Sequence, residues 1–483
     1  LKNKYNIYMD KVDVKKLKQQ KLKQVLQKRR EDFRVVVEND NLCLYRDESK
    51  CIRCGRCKDA CSSDAGVFDS FDREKSKNIC IGCGKCVSAC PTGALLEKSG
   101  YRQVLEALND YDKTLVVSVA PAVRVAIAEE FGFNSGIYDE GRLISALRMI
   151  GFDYVFDVTF GADLTVMEEA TELVKRLTLK NKPLPQFTSC CPAWVNYVEI
   201  YRPDLIANLS TTKSPISMQG AIIKTFFAKE KNFKPENIVH VTVAPCIAKK
   251  SEINRDNISG SAKYWKNESL KDVDYVITTR ELAHIIKKLN IPYGTLPNGE
   301  FDKLFSHGSG SGIIFGSSGG VTEATLREAY YLLNGEEAPA NLLTLKKLRS
   351  VDGIKEDVVD LGETKIRVAI CNGLKAAKQL LEELNKKQKE FDFIEIMTCE
   401  SGCVGGPGQP KSQNPDTNQK RAAALYHNDE ESKIRSAQNT PDIQNVYSKF
   451  LGMPLSKMSK MLLHTTYNDN SKKFILKENK KWN

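Results

Sequence analysis

The sequence predicts a large α/β domain, with mainly parallel strands flanked by helices, preceded by a small cysteine-dense α+β domain. Three observations carry this. From about Val104, apolar strand-like runs alternate with amphipathic helix-like stretches, the pattern of parallel strands joined by crossover helices. Before that point a four-cysteine run occurs twice, "CIRCGRCKDAC" from Cys51 and "CIGCGKCVSAC" from Cys80, 29 residues apart. A chain of 483 residues also exceeds what one ordinary core accommodates.

Composition narrows the class. Hydrophobic residues make up 41% of the chain, which suits a globular protein. No apolar run reaches the roughly 18 residues of a membrane helix. The opening "LKNKYNIYMDKVDVKKLKQQK" is charged and lacks the apolar centre of a secretory signal, so the expected compartment is the cytoplasm. Of the fifteen cysteines, nine fall between Cys43 and Cys90. Such clustering in a reducing compartment points to metal and not to disulfides. The net charge of +11 is concentrated in "KVDVKKLKQQKLKQVLQKRR" and "NSKKFILKENKKWN". These ends read as solvated faces, and a basic surface also suits an acidic redox partner. Without aromatic-basic interleaving, no nucleic-acid partner is expected.

In chain order, residues 1–40 form a basic extension, a helix followed by a short strand in "FRVVVEN". Residues 41–103 hold the repeat. Its spacing, C-x2-C-x2-C-x3-C, supplies four thiolates per run, and in the two-cluster pattern the fourth cysteine of each run ligates the other [4Fe–4S] cluster. Cys51, Cys54, Cys57 and Cys90 are therefore assigned to one cluster, and Cys80, Cys83, Cys86 and Cys61 to the second. Pro91 follows the fourth cysteine of the second run, whereas Ser62 stands there in the first. Gly55, Gly82 and Gly84 let backbone N–H groups approach sulfur. Two zinc sites are the competing reading, which two complete runs disfavour. Cys43 is left over as a structural thiol. The segment resembles a bacterial-type ferredoxin domain.

Residues 104–470 form the large domain, and 471–483 a basic tail. "TLVVSV" runs into "APAVR", "FDYVFDV" into "TFGADLT", "QFTS" into "CCPAW", "IVHVTV" into "APCIAKK" and "FDFIEIM" into "TCESGC". Ligands of doubly wound sheets sit beyond the carboxyl ends of strands, so five such ends bearing Cys, Pro or small residues predict one site built from distant segments. Residues after about Pro410 read mainly as helix.

The contexts "TSCCPAW", "APCIAKKSE" and "EIMTCESGCVGGPGQP" together resemble the three signature segments of the [FeFe]-hydrogenases. "VAPAVRVAIAEEFG", "FGADLTVMEEATE", "YVITTREL", "IIFGSSGGVTEATLREA" and "MLLHTTY" extend the resemblance over nearly all of the chain from Cys51. It implies a catalytic domain of two lobes around an H-cluster, a [4Fe–4S] cube joined through a cysteine sulfur to a di-iron unit carrying CO, cyanide and aza-dithiolate. Cys191, Cys246, Cys399 and Cys403 match the cube's ligands, with Cys403 bridging to the di-iron unit. The i, i+4 spacing of Cys399 and Cys403 would suit one helical face.

The resemblance gives Cys190 a different task from its neighbour Cys191: a free thiol that passes a proton to the amine of the dithiolate. Glu172, Ser210, Glu169 and Cys190 match a proton relay from surface to cluster, and Arg176 would tune Glu172. Glu168 reads as solvated. Lys249 matches the lysine that bonds a cyanide, and Lys250 reads as solvated. Pro121, Ala122, Val158, Pro215, Ala244, Phe315 and Met397 match pocket-lining positions. His240 and His284 read as structural, His464 as packing and Cys371 as a core thiol.

The implied activity is reversible 2H+ + 2e− ⇌ H2, with a ferredoxin or similar acidic carrier as electron partner and maturation proteins supplying the di-iron unit. The sequence departs from the common pattern at Ala244, Ile216, Pro407 and Ala122, which resembles the divergent group B. Two other readings are a slow hydrogen sensor and a non-catalytic hydrogenase-like iron–sulfur assembly protein.

Overall fold

A computed structural model describes residues 34–68, 79–305, 308–349 and 353–471. The expected N-terminal helix and basic tail lie outside these residues. The strand expected in "FRVVVEN" does not form over residues 34–38. Val35 instead packs as irregular chain against Cys43, Leu44 and Val87, and its carbonyl accepts from the Arg46 guanidinium. The small domain's pairing is made by β1 (Leu44–Arg46) and β2 (Leu95–Glu97), antiparallel.

The large domain contains two four-stranded sheets. In the first, β3 (Thr114–Val119), β4 (Tyr154–Asp157), β6 (Ile238–Ala244) and β7 (Tyr275–Thr278) are ordered β4-β3-β6-β7, all parallel. The second is ordered β5-β10-β9-β8, from β5 (Gln186–Phe187), β8 (Ile354–Asp360), β9 (Lys365–Asn372) and β10 (Phe393–Met397). The central strands β3 and β10 are buried along nearly their whole length, mostly by apolar side chains, with Ser118 and Glu395 buried among them. β8 alternates buried with exposed residues and lies antiparallel at the sheet edge, the one exception to the parallel pattern.

Strand ends turn directly into helix starts. Asp157 caps α1 (Val158–Leu179), its carboxylate accepting from Thr159 N at 2.8 Å. Pro192 opens α2 (Pro192–Tyr201) and Pro215 opens α3 (Pro215–Ile222), positions where a missing N–H costs nothing. α1 is buried along most of its length and packs on α3 and on α4 (Gly320–Asn334).

The second sheet's core joins Phe187, Trp194, Tyr197 and Ile394 to Ala65, Val67, Ile79 and Ile81 of the cysteine-rich segment. The small domain thus shares a core with the large one. The chain after Pro410 is mainly helical, including α5 (Thr417–Glu430) and α6 (Lys457–Leu463). Among the described residues no helix is long and apolar enough to cross a membrane.

Candidate active site

The carboxyl ends of β3, β6 and β10, with the segments after β4 and β5, surround one pocket. Cys190 and Cys191 reach it from between β5 and α2, Cys246 from just after β6, and Cys399 and Cys403 from beyond β10. Pro121 and Ala122 line it after β3, Val158 and Pro215 as the first residues of α1 and α3, and Ala244 and Met397 as the last of β6 and β10. Phe315 closes another side, and Lys249 is among the lining residues. All these sequence-selected residues therefore meet in one place. Ile216, Pro245 and Thr398 also line it. Thr398 had no signal in the sequence beyond standing next to Cys399; its hydroxyl lies 3.3 Å from Cys191 Sγ.

Cys399 and Cys403 are not on one helical face. The chain turns between them, with Ser401 at φ 67° and Gly402 at φ 79°, before a short 3-10 segment Gly402–Gly405. A Cβ on Gly402 would lie 2.5 Å from Ser318 N, so the turn seats against the backbone of Ser317 and Ser318 only as glycine. Two thiols four apart are thus aimed inward by a turn.

The donor set fits an iron–sulfur cube. Four soft thiols line one enclosed space. Burial and neighbouring thiols push Cys246 up to about 11 and Cys403 up to about 12, and Cys399 well up, so these thiols hold their protons at neutral pH. Among the described residues no three His, Cys, Asp or Glu side chains are placed to hold a single metal ion.

The cysteine repeat forms two further cavities. One has Cys51, Cys54, Cys57 and Cys90 in its lining. The other has Cys61, Cys80, Cys83 and Cys86 in its lining. The fourth cysteine of each run thus faces the other run's cavity. Leu95 N points at Cys90 Sγ and Gly82 N at Cys80 Sγ, each at 3.4 Å. The leftover Cys43 is buried, and a Cβ on Gly82 would meet its Sγ at 2.9 Å.

Lys249 Nζ donates to Glu252 Oε2 at 2.6 Å and to the Cys190 carbonyl at 3.1 Å. Burial opposes its charge, but Glu252 and Cys246 outweigh burial and raise its pKa. Lys250 is not solvated: it is buried, with Nζ 2.7 Å from Glu281 Oε2 and 2.8 Å from the Val276 carbonyl.

Glu169 and Glu172 lie on the buried side of α1. Burial, then the Glu172 charge, pushes Glu169 up to about 8. Among the described residues neither Glu169 oxygen has a hydrogen-bond partner within 3.5 Å, although the Ser210 hydroxyl lies close enough to favour its anion. Burial works against the charge on Glu172 too, but Arg176 and Lys182 overcome it and hold that carboxyl down at about 2. Arg176 Nη2 and Lys182 Nζ reach Glu172 Oε1 at 2.7 and 2.8 Å, and Ser210 Oγ stands 3.5 Å from Oε2. Burial, then Glu169, raises the Cys190 thiol well above its ordinary value.

Glu168 corrects the solvated reading. It is fully buried, with Tyr447 OH donating to Oε1 at 2.6 Å, Leu455 N to Oε2 at 2.8 Å, and His464 Nε2 at 3.0 Å from Oε2. His464 therefore bonds as well as packs. His240 is structural: burial pushes it down to about 4, and it bonds Ser118 Oγ at 2.8 Å. His284 meets Tyr101 edge-on at 4.8 Å, and Cys371 is a buried thiol of β9.

Comparison with known proteins agrees with this layout. Residues 113–407 match the iron only hydrogenase large subunit, C-terminal domain; residues 415–470 match the iron hydrogenase small subunit; residues 43–91 match a 4Fe-4S dicluster domain. The chain is 40% identical over 449 residues to the NADP-reducing hydrogenase subunit HndD of Solidesulfovibrio fructosivorans, covering 88% of this chain and 74% of that protein. It is 38% identical over 452 residues to iron hydrogenase 1 of Clostridium pasteurianum, covering 89% and 77%. A solved variant of apo [FeFe]-hydrogenase HydA1 from Chlamydomonas reinhardtii superposes with a TM-score of 0.68 at 41% identity, over 77% of this chain and 99% of that one. Fold, cysteine placement and likeness converge: the chain belongs to the [FeFe]-hydrogenase family and carries a 4Fe–4S ferredoxin-like domain on its N-terminal side.

Proposed function

We propose that the chain is an iron-only hydrogenase catalysing 2H+ + 2e− ⇌ H2. The observation that carries this is the single cavity shared by four prospective ligand thiols, a fifth thiol at Cys190 and Lys249, with a buried carboxyl, Glu169, within electrostatic reach of Cys190. The H-cluster, when bound, supplies the redox chemistry that makes and breaks the H–H bond. Cys191, Cys246, Cys399 and Cys403 would hold its cube, and Lys249 Nζ would turn toward a cyanide as a fixed cationic donor.

The remaining work belongs to the chain. Pro121, Ala122, Val158, Phe315 and Met397 keep water out of the cavity. Glu169, uncharged at neutral pH, holds a proton for Cys190 Sγ. Ser210 Oγ passes protons by accepting one and donating another. Glu172 collects them beside Lys182, whose side chain is 38% exposed. Electrons enter at the cavity of Cys51, Cys54, Cys57 and Cys90, where Cys54 is exposed, and continue to that of Cys61, Cys80, Cys83 and Cys86. A ferredoxin or similar acidic carrier is the proposed donor, maturation proteins supply the di-iron unit, and the compartment is an anaerobic cytoplasm. The ferredoxin-like unit spans 41–103 and the catalytic unit 104–470.

The test is anaerobic hydrogen evolution from a reduced viologen, on protein loaded with synthetic di-iron cofactor and checked by its CO and cyanide infrared bands. Turnover that falls at least about 100-fold in Cys190→Ala supports the reading. Loaded protein inactive in both directions overturns it. Ala122, Ala244 and Ile216 at the cavity wall, with Pro407 beyond it, match the group B departures and favour hydrogen sensing as the second reading. Failure to load favours an iron–sulfur assembly role.

A further inference from the structure

The relay leaves a second chain of polar groups unused. Thr211 N and Oγ1 both donate to Glu172 Oε2, at 2.9 and 2.8 Å. The same Oγ1 lies 2.8 Å from His464 Nδ1, and His464 Nε2 lies 3.0 Å from Glu168 Oε2. Glu168 is already an acceptor from Tyr447, Leu455 and Ser459. The continuous path Glu172–Thr211–His464–Glu168 joins two buried carboxyls of α1 through one residue of the C-terminal segment. An isolated bridge, Thr212 with His464, and the bond from Thr465 N to the Thr211 carbonyl at 2.8 Å hold that segment in place.

Counting hydrogens fixes the directions. A hydroxyl has one hydrogen. While Glu172 is ionised, its Oε2 can only accept, so the Thr211 hydrogen points at Glu172 and its oxygen must accept from Nδ1–H. Nε2 and the Glu168 oxygen must likewise share a proton, because two lone pairs would repel at 3.0 Å. When Glu172 Oε2 gains a proton, the order reverses. Oε2–H then donates to Thr211, the Thr211 hydrogen turns to Nδ1, and Nδ1 must be bare. The exchange balances: the N–H bond at Nδ1 breaks as an O–H bond forms on Thr211, and the old Thr211 O–H bond breaks as one forms on Glu172. No net charge is created on Thr211.

We propose that Thr211 and His464 form a side branch of the proton path, which keeps one proton in reserve at Nδ1 and exchanges it with Glu172 Oε2. The proposal rests on the relay reading above. Glu172 yields its proton inward through Ser210, the branch refills it, and solvent protons arriving at Glu172 beside Lys182 recharge His464. The charged and titratable groups facing the branch are Glu168 and Tyr447 on one side, and Glu172, Arg176 and Lys182 on the other. The Lys213–Asp272 ion pair, at 2.9 Å, flanks it where Lys213 N bonds the Leu463 carbonyl.

The chain has five histidines, so ring nitrogens can be followed by NMR in full-length, cluster-containing protein labelled with 15N-histidine. Wild type is expected to show a protonated Nδ1 on His464 at neutral pH. Thr211→Val, which removes the hydroxyl and keeps the shape, should move the His464 Nδ1 nitrogen signal away from its hydrogen-bonded wild-type position, and Thr211→Ser should restore it. Glu172→Gln should shift the same nitrogen signal in wild type and several-fold less in the Thr211→Val background, because the coupling runs through the hydroxyl. A bare Nδ1 in wild type, or equal Glu172→Gln shifts in both backgrounds, overturns the branch. In di-iron-loaded protein, Thr211→Val should slow hydrogen evolution more at pH 8 than at pH 6. Equal slowing at both would also overturn it. Loaded protein without turnover would sink the hydrogenase reading alone, since the NMR cycle still decides the branch.

Discussion

Glu169 and Glu172 stand three apart on α1, yet their surroundings push one up to about 8 and hold the other at about 2. The difference sets opposite pH dependences. Glu169 in the folded chain keeps its proton to about pH 8, whereas the unfolded carboxyl ionises near its ordinary 4.5. Between these values the folded state binds more protons, so stability falls as pH rises. Glu172 behaves conversely: its contribution is complete above 4.5 and is lost as pH falls through about 2. Glu169→Gln should therefore gain stability over wild type at pH 8 relative to pH 5, by on the order of a few kcal/mol, in parallel thermal melts. In loaded protein the same change should cut turnover about 100-fold or more. The spacing that puts both carboxyls on one helical face was legible in the sequence. Their ionisation was not, since it depends on Arg176, Lys182 and depth. Glu168 and Lys250 read as solvated for the same reason: a charge in an amphipathic stretch does not announce a partner such as His464 or Glu281 far along the chain.

At the scale of elements, the parallel strands were legible because burial on both faces makes them rich in apolar residues, and strands form over "TLVVSV" and over the "FIEIM" of "FDFIEIM". The Cys399–Cys403 segment was misread because i, i+4 spacing fits a helix as well as a turn, and Ser401 and Gly402 adopt positive φ. Gly402→Ala should test the turn. Its Cβ would meet backbone at Ser318 and Ser317, at 2.5 and 2.9 Å, which cannot swing aside. A loss of about 1–3 kcal/mol is expected, seen as a lower Tm and reduced iron retention at the cavity. A second junction ties α4 to α5. Asp429 Oδ2 accepts from Arg327, Arg349 and Arg435 at 2.8, 3.0 and 2.6 Å, with Arg327 fully buried. Asp429→Ala leaves these cations with Glu323, Glu430 and backbone carbonyls as the main remaining acceptors, and should cost about 3–5 kcal/mol in denaturant unfolding. Nothing local in "ALYHNDEE" marks Asp429, because its partners come from α4 and from beyond it.

Across the whole molecule, a site assembled from five strand ends was legible, since Cys, Pro and small residues recur where β3, β4, β5, β6 and β10 stop. The joint between the domains was not legible. Ile79 and Ile81 look like any apolar residues, yet they enter the second sheet's core. Gly84, at φ 74°, lies so near Pro407 and Ile247 that a Cβ would meet them at 2.6 and 2.9 Å. Lys85 Nζ bridges Asp64 at 3.6 Å and Glu400, beside Cys399, at 3.3 Å. The cavity of Cys61, Cys80, Cys83 and Cys86 is therefore the one docked on the active site, and that of Cys51, Cys54, Cys57 and Cys90 faces outward through the exposed Cys54. This order separates two measurable processes. On the proposed reading, hydrogen evolution draws electrons across the small domain, while exchange of deuterium between gas and water needs protons and no net electrons. Cys54→Ala should remove one cluster, about four irons per chain, from the outer cavity. Evolution driven by a reduced protein carrier should then fall steeply, while isotope exchange in the same loaded sample stays near the wild-type rate. Equal loss of both would mean that the outer cavity supports the fold of the active site and does not serve as its electron entrance.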